Sequence, residues 1–75
     1  MTETVQKDMI SVRVNGEQRR IPAGCSIAGM LREIGLDPRK VAVERNLEIV
    51  PRSAYARTAL AEGDRIEIVH FIGGG

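Results

Sequence analysis

The chain contains few of the residues on which several common classes of protein depend. Among its 75 residues are one cysteine, one tyrosine, one phenylalanine and no tryptophan. Because Cys25 is alone, the chain cannot form an internal disulfide or a cysteine metal cluster, which fits a reducing cytoplasm. Two aromatic side chains give no surface for stacking nucleic-acid bases, and a net charge of +1 gives no reason to expect phosphate binding.

Long apolar runs and catalytic motifs are also missing. No stretch approaches the roughly 20 apolar residues of a membrane-spanning helix, and residues 1–8 lack the hydrophobic segment of a signal peptide. The sequence pairs no nucleophile with a base, spaces no metal ligands and contains no phosphate-binding loop. We therefore expect a small cytoplasmic protein that is not an enzyme, binds no metal or cofactor, and has no nucleic-acid or membrane partner.

The first half of the chain predicts a β-hairpin followed by one helix. Alternating apolar and polar residues over 10–14 indicate a half-buried strand, and Asn15-Gly16 tolerates the positive φ angles of a tight turn. A second strand over 17–21 ends at Pro22, because proline cannot donate to a ladder. One apolar helix face follows, at the spacing i, i+3, i+4 and i+7: Ile27, Met30, Leu31 and Ile34.

The ends of this helix also carry the expected signals. Ser26 is a suitable N-cap, and Gly35 suits the left-handed position after the last turn. Gly29 lies inside the helix, where glycine weakens it, and we expect it to allow a close approach of the helix to the sheet.

The second half predicts further short strands. A third strand begins at Val41, a turn lies at 45–46, and a fourth strand covers 47–50. One helical turn over 52–57, an edge segment over 58–60 and a turn at 62–64 lead to a last strand over 66–71. This last strand is the most apolar, so we expect it in the centre. The order predicts an α+β fold of the β-grasp type, with a mixed sheet of four to five strands and one main helix.

Three glycines, Gly73, Gly74 and Gly75, directly follow the last strand. Because glycine has no Cβ, such a tail is narrow, and three residues extend at most about 10 Å. A frayed end or a cloning remnant would also be rich in glycine. The direct junction with an apolar strand instead favours delivery of the Gly75 carboxylate, which needs activation to react. We divide the chain into a flexible extension (1–8), a domain (9–72) and a flexible tail (73–75).

Four segments carry a resemblance to a known family. They are Val-Arg-Val-Asn-Gly at 12–16, Val-Glu-Arg-Asn at 43–46, Glu-Ile-Val-Pro at 48–51, and Glu-Gly-Asp-Arg-Ile-Glu-Ile-Val-His-Phe-Ile-Gly-Gly-Gly at 62–75. Over residues 9–75 the chain resembles the ThiS family, the sulfur carriers of thiamine biosynthesis, which share the ubiquitin-like β-grasp fold. The extension at 1–8 is outside the usual pattern, and both Met1 and Met9 suit the start of translation.

The resemblance implies a chemical role for the tail. A ubiquitin-activating-type enzyme uses ATP to adenylate the carboxylate at Gly75. Sulfur from a cysteine-derived persulfide, supplied by a donor such as a cysteine desulfurase or a sulfurtransferase, displaces AMP and leaves a thiocarboxylate. Thiazole synthase receives this sulfur and builds the thiazole ring. The protein is then a cosubstrate rather than an enzyme, with Gly75 as the attachment site and Gly73 and Gly74 as the narrow tail.

The residues before the tail are candidates for partner docking: Val69, Phe71 and Ile72. If Ile66 and Ile68 face the helix, Val69 and Phe71 lie on the open face of the sheet, where exposed apolar residues suggest docking. The alternative is that they pack beneath a loop.

Three other residues attract attention but have simpler explanations. His70 has no adjacent acid or nucleophile, so we expect a structural role. Cys25 precedes a helix, where a thiol pKa can fall, but we expect a packed, idle thiol rather than a sulfur relay. Asn46 is expected to serve the turn.

Two alternatives to thiazole formation stay open. A β-grasp carrier can deliver sulfur for molybdopterin, cysteine or tRNA thiolation, although the 43–46 segment and the His-Phe-x-Gly-Gly-Gly ending favour thiamine. A non-covalent ubiquitin-like interaction module would use the same fold but would tolerate a residue added after Gly75.

Overall fold

The computed structural model describes residues 8–71, which form one five-stranded sheet with a single α-helix. The strands are β1 (Met9–Val14), β2 (Glu17–Pro22), β3 (Val41–Arg45), β4 (Glu48–Val50) and β5 (Arg65–His70). The helix α1 covers Ile27–Ile34, and short 3-10 helices lie at Pro38–Lys40 and Arg52–Ala54. None of the helices in residues 8–71 has the length and apolarity needed to cross a bilayer.

The strand order places the end of the sequence in the middle of the sheet. The order is β2-β1-β5-β3-β4, so β5 lies between β1 and β3. β5 runs parallel to β1 and antiparallel to β3, while the β1–β2 and β3–β4 pairs are antiparallel. The predicted mixed sheet and the central position of the last strand are therefore confirmed.

The helix begins and ends as its sequence predicts. The Ser26 hydroxyl accepts a hydrogen bond from the Gly29 N–H at 3.0 Å and so caps the first turn. Gly35 has φ 95°, and its N–H reaches the carbonyls of Leu31 and Arg32. Three residues of the helix's apolar face, Ile27, Met30 and Leu31, are at 0% exposure, while Ile34 is half-buried against the core. The core is completed by strand and loop residues: Val12, Val14, Ile21, Val41, Val43, Tyr55, Leu60 and Ile66.

The turn between β3 and β4 differs from the prediction. Asn46 and Leu47 have φ 53° and 74°, so both are turn residues and β4 begins at Glu48. Two positive φ angles match the right-handed twist of a tight hairpin. Leucine rarely adopts this conformation, and the sequence therefore suggested a strand instead.

The expectation for Gly29 was wrong. A Cβ at Gly29 would lie 3.3 Å from Cys25 Sγ and 3.4 Å from Ser26 Oγ. The space that glycine leaves is therefore next to the helix's own first turn and not against the sheet. The crowding arises because the residue also donates to the Ser26 cap.

The segments between β4 and β5 are shorter than predicted. The helical turn is a 3-10 helix of three residues, after which Tyr55 is buried and donates its hydroxyl to the Val41 carbonyl at 3.3 Å. The predicted edge segment over 58–60 makes one isolated bridge, between Ala59 and Ser26, rather than a strand. β5 begins at Arg65 and ends at His70.

The complete burial of Leu31 gives a first testable prediction. Leu31→Ala should lower the free energy of unfolding by about 2–5 kcal/mol, because it removes buried methyl groups and leaves a cavity. Urea denaturation of the parent and the variant measures this difference. The neighbouring Arg32 is exposed, so Arg32→Ala is a matched control that should change stability by no more than about 0.5 kcal/mol. Equal effects of the two substitutions would contradict the assignment of the helix face.

Candidate functional site

The candidate site lies at the end of β5, where the chain leaves the sheet. The β3–β5 pairing continues to its last pair, Val41 with His70. The Phe71 N–H then donates to the Lys40 carbonyl at 2.9 Å, one step beyond the strand. The position from which the tail departs is therefore fixed by the sheet. Ile72, Gly73, Gly74 and Gly75 lie outside the described residues, and the roles predicted for them stay predictions.

The two faces of β5 have different environments. Ile66 is 1% exposed and belongs to the core, and Ile68 is half-buried against it. On the opposite face Val69 is 61% exposed and Phe71, just beyond the strand, is 51% exposed. The alternative in which these two residues pack beneath a loop is therefore wrong. Whether they bind a partner stays a prediction.

The edge strand β4 adds an exposed apolar residue that the sequence pattern did not indicate. Ile49 in β4 is 77% exposed. Glu44 pairs with Ile49 across β3 and β4 and with Glu67 across β3 and β5, so the three side chains form one row on the open face. The strand pattern of the short β4 gave no signal for this placement, because only the register reveals which residues share the row.

The same row brings two negative charges together. Glu44 and Glu67 are directly opposite each other, both are exposed, and neither makes an ion pair within residues 8–71. Like charges in this position are unfavourable in an isolated sheet. We define the docking surface, whose binding role stays a prediction, as Glu44, Ile49, Glu67, Val69 and Phe71. It combines apolar area with negative charge, and a complementary protein surface would carry apolar and basic groups.

The start of β5 is held by a buried carboxylate. Asp64 is 6% exposed, and its Oδ2 accepts hydrogen bonds from Arg45 Nε at 2.9 Å and the Ala61 N–H at 2.8 Å. Its Oδ1 accepts from Asn46 Nδ2 at 3.0 Å. Asn46 Oδ1 in turn accepts from the Arg65 N–H at 2.9 Å. Asn46 thus serves its turn as expected, but it also ties that turn to β5.

These contacts decide the charge of the buried group. Burial disfavours the ionised form of Asp64 and by itself would raise its pKa. The hydrogen bonds from Ala61, Asn46 and Arg45, together with the positive charge of Arg45, outweigh burial and hold the pKa below its usual value. Asp64 is therefore ionised at neutral pH, and its role is to fix the β3–β4 turn against the start of β5.

The two residues with possible reactivity lie in different elements, Cys25 before α1 and His70 at the end of β5. Burial, followed by the nearby charge of Glu33, raises the pKa of the Cys25 thiol, whose Sγ donates to the Ser26 carbonyl at 3.4 Å. A raised pKa disfavours the reactive thiolate. His70 is exposed at the end of β5. Within residues 8–71 no group of three or more histidine, cysteine or acidic side chains could hold a metal ion.

Comparisons with known proteins place the chain in a family. A family model described as the ThiS family matches residues 12–75. The chain belongs to the ThiS family. Its fold agrees with that of the thiamine biosynthesis protein ThiS from Geobacter metallireducens, a crystal structure with a TM-score of 0.75 and 28% sequence identity, over 88% of this chain and 100% of that one. The predicted ubiquitin-like β-grasp fold is thereby confirmed.

Two curated relatives show where similar domains occur. The sulfur carrier protein ThiS of Bacillus subtilis is 44% identical over 50 residues, which are 67% of this chain and 76% of that protein. A protein named thiazole synthase in Paramagnetospirillum magneticum is 58% identical over 62 residues, which are 83% of this chain but 19% of that protein. This ThiS-family chain therefore spans about a fifth of the thiazole synthase that it matches.

The Asp64 contacts predict that acid destabilises the fold. Because the folded-state pKa is lowered, the stabilisation is complete above the unfolded-state pKa of about 3.9 and is lost as the pH falls through the folded-state value. We expect the free energy of unfolding to decrease as the pH falls below about 5, and Asp64→Asn to reduce this dependence. Urea denaturation at several pH values measures the slope of the free energy of unfolding against pH for the parent and for the variant.

Asp37 provides the control for this experiment. Hydrogen bonds from Arg39 lower its pKa to about 2, but the pair lies at the surface, where the Arg39 side chain is 77% exposed. Solvent screening weakens such a pair, so Asp37→Asn should reduce the slope less than Asp64→Asn. If the free energy of unfolding of Asp64→Asn changes with pH as steeply as that of the parent, the protonation of Asp64 is not coupled to folding.

Proposed function

We propose that this ThiS-family domain carries sulfur on the Gly75 carboxylate for thiazole formation in thiamine biosynthesis. The observation that carries the proposal is the position of β5. The strand is central in the sheet, is fixed as far as Phe71, and leads through four further residues to Gly75. A match to the family that includes these four residues, and a relative named sulfur carrier protein ThiS, support it.

The chemistry requires a reactive end that can enter other proteins' active sites. In the first step a carboxylate oxygen of Gly75 attacks the α-phosphorus of ATP and pyrophosphate leaves, which makes the acyl carbon electrophilic. In the second step a sulfur nucleophile attacks that carbon and AMP leaves. Sulfide gives the thiocarboxylate directly, whereas a persulfide gives an acyl disulfide, which a second thiol cleaves to release the thiocarboxylate and leave a disulfide on the donor. Four residues beyond Phe71 extend at most about 13 Å, and the three glycines add no side chain that would obstruct a narrow cleft.

The partners supply the catalytic groups in this proposal. A ubiquitin-activating-type adenylating enzyme binds and uses ATP, and a cysteine desulfurase or sulfurtransferase provides the sulfur. Thiazole synthase accepts it, and the domains similar to this chain within proteins of that name support this partner. These reactions would take place in the cytoplasm, where an isolated thiol such as Cys25 stays reduced. The domain itself acts as a cosubstrate.

A non-covalent interaction module is the second candidate. The exposure of Ile49, Val69 and Phe71 on one face favours it, because exposed apolar patches often mark protein interfaces. The two functions differ in what they require of Gly75. A carrier fails when a residue is added after Gly75, whereas an interaction module binds its partner as before.

The carrier function predicts that the tail is sensitive to both length and bulk. Deleting Gly75 moves the terminal carboxylate by up to about 3.5 Å, and a misplacement of 1 Å can slow a reaction about a hundredfold. Gly74→Val adds a stiff, β-branched side chain to the same segment. Both changes should abolish or strongly slow the ATP-dependent formation of a thiocarboxylate. Intact-mass spectrometry with the adenylating enzyme, ATP and sulfide detects the replacement of one oxygen by sulfur.

The controls for the tail variants are stability and the parent chain. Neither change touches the described core, so urea denaturation should show a difference of no more than about 0.5 kcal/mol. Conversion of both variants at the parental rate would mean that the reactive atoms have been assigned wrongly. A parent chain that no enzyme of this type adenylates would favour the interaction module.

The docking surface predicts that Phe71 contributes more to binding than to folding. Phe71→Ala should weaken binding to the adenylating enzyme or to thiazole synthase by about 2 kcal/mol or more, as for an aromatic residue at the centre of an interface. Leu47→Ala is the matched control, because Leu47 is 79% exposed but lies in the turn beside the start of β5. Isothermal calorimetry measures affinity. Unchanged affinity together with a large loss of stability would assign Phe71 to the core.

A further inference from the structure

The central strand extends beyond the neighbour that it has on one side. β1 ends at Val14, because the chain turns at Asn15 and Gly16, which have φ 50° and 86°. The last paired residues of β1 and β5 are Val14 and Ile66. β3 continues along the other side of β5 as far as His70. Within residues 8–71, residues 67–70 of β5 therefore have a strand beside them on one side only.

The Asn15 side chain adds hydrogen bonds to β5 at the point where the main chain of β1 no longer pairs with it. The Asn15 N–H donates to the Ile66 carbonyl at 2.8 Å, as the last main-chain contact of this edge. At the next step the Asn15 carboxamide replaces the main chain. Its Oδ1 accepts from the Ile68 N–H at 2.7 Å and its Nδ2 donates to the Ile68 carbonyl at 3.2 Å. A carboxamide has one donor and one acceptor side, like a peptide group, so one side chain satisfies both groups of Ile68.

Two contacts thus hold the segment from which the tail departs. Asn15 holds Ile68 on the β1 side, and the Lys40 carbonyl holds the Phe71 N–H on the β3 side. Without Asn15, residues 67–70 would be fixed along the β3 side alone. The strand end could then rotate about that ladder, and a small rotation at Ile68 would be amplified along the residues leading to Gly75.

The two Asn15 contacts lie at the surface. We therefore expect them to affect the position of the end of β5 more than the stability of the whole domain. Both hydrogen bonds are exposed to solvent. Water can replace an exposed hydrogen bond, so their loss should have little effect on global unfolding. It should have a larger effect on the local order of β5, where exposed backbone hydrogen bonds open first.

We infer that Asn15 is a positioning residue of the sulfur carrier: its carboxamide extends the β1–β5 ladder by one step and fixes the direction in which the tail leaves the sheet. The inference rests on the proposed function for its kinetic consequence. The sequence marks Asn15-Gly16 only as a turn, and a turn needs no carboxamide, since glycine adopts the same positive φ.

The chain contains a matched control at its other hairpin. Asn46 also has a positive φ, 53°, in a two-residue turn, and its side chain also binds the backbone of β5. It holds Arg65, at the start of the strand, and not the end. Asn15→Gly and Asn46→Gly therefore remove the same side chain from similar turns, at opposite ends of β5.

The experiment compares four proteins that end at Gly75: the parent, Asn15→Gly, Asn15→Asp and Asn46→Gly. Asn15→Asp keeps the turn but removes the donor to the Ile68 carbonyl. For each we measure kcat and KM of thiocarboxylate formation with the adenylating enzyme, ATP and sulfide, and hydrogen exchange of the Ile68 and His70 amides. Urea denaturation confirms that each variant is folded.

We expect both Asn15 variants to lower kcat about tenfold, because the carboxylate is misplaced, and to leave KM within about twofold, because the docking surface is intact. Exchange at Ile68 should rise about tenfold. Asn46→Gly should lower stability more than the Asn15 variants, since it removes a contact to buried Asp64, and yet keep a parental kcat.

Three results would overturn the inference: parental kcat in the Asn15 variants, an equal loss of kcat in Asn46→Gly, or unchanged exchange at Ile68. If the parent is never converted, the proposed function fails instead. The exchange measurement then still decides whether Asn15 orders the end of β5, because it needs no partner enzyme.

Discussion

The insertion of the last strand between β1 and β3 is the constraint on which this structure depends. β5 comes last in the sequence but is central in the sheet, and its Ile66 closes the core beneath α1. Both of its ladders join residues far apart in the chain, such as Val14 with Ile66. The position of the tail therefore depends on the whole domain, since no local segment could hold β5 in place. Pairings of this length also form late in folding, after loop-closure entropy has been lost.

The two faces of β5 have different environments. One face supplies stability through Ile66, while the other leaves Val69 exposed and places Glu67 opposite Glu44. Exposed apolar area and like-charge repulsion are both unfavourable for an isolated domain. The core must therefore supply the stability, and the 0% exposure of Ile27, Met30 and Leu31 in α1 is consistent with this. The open face is exposed and does not contribute to the core, which is compatible with the proposed docking role.

Sequence periodicity predicted the parts of the fold that depend on local burial. The spacing of Ile27, Met30 and Leu31 gave the helix, alternation gave the strands, and the apolar content of β5 gave its central position. The predictions failed where a residue's role depends on a distant contact. The Asp64–Arg45 pair joins residues 19 apart, and the Asn15–Ile68 contact joins residues 53 apart. In the sequence Arg45, Asp64 and Asn15 look like ordinary turn residues, and Ile68 looks like an ordinary strand residue. The reactive carboxylate at Gly75 was predicted from the three glycines and the family resemblance, and no packing interaction contributed to that prediction.

Asn15 and Asn46 each adopt the backbone conformation of a tight turn and also bind a strand that is distant in the sequence. Each adopts a positive φ in a hairpin turn, which asparagine tolerates better than most residues. Each also bonds the backbone of β5, Asn46 at Arg65 and Asn15 at Ile68. Glycine would satisfy the turn but not the strand, because it has no carboxamide to bond the backbone of β5. The two turns thus hold β5 at different points, Asn46 at its start and Asn15 near its end, and only the Asn15 contact lies close to the residues that lead to the tail.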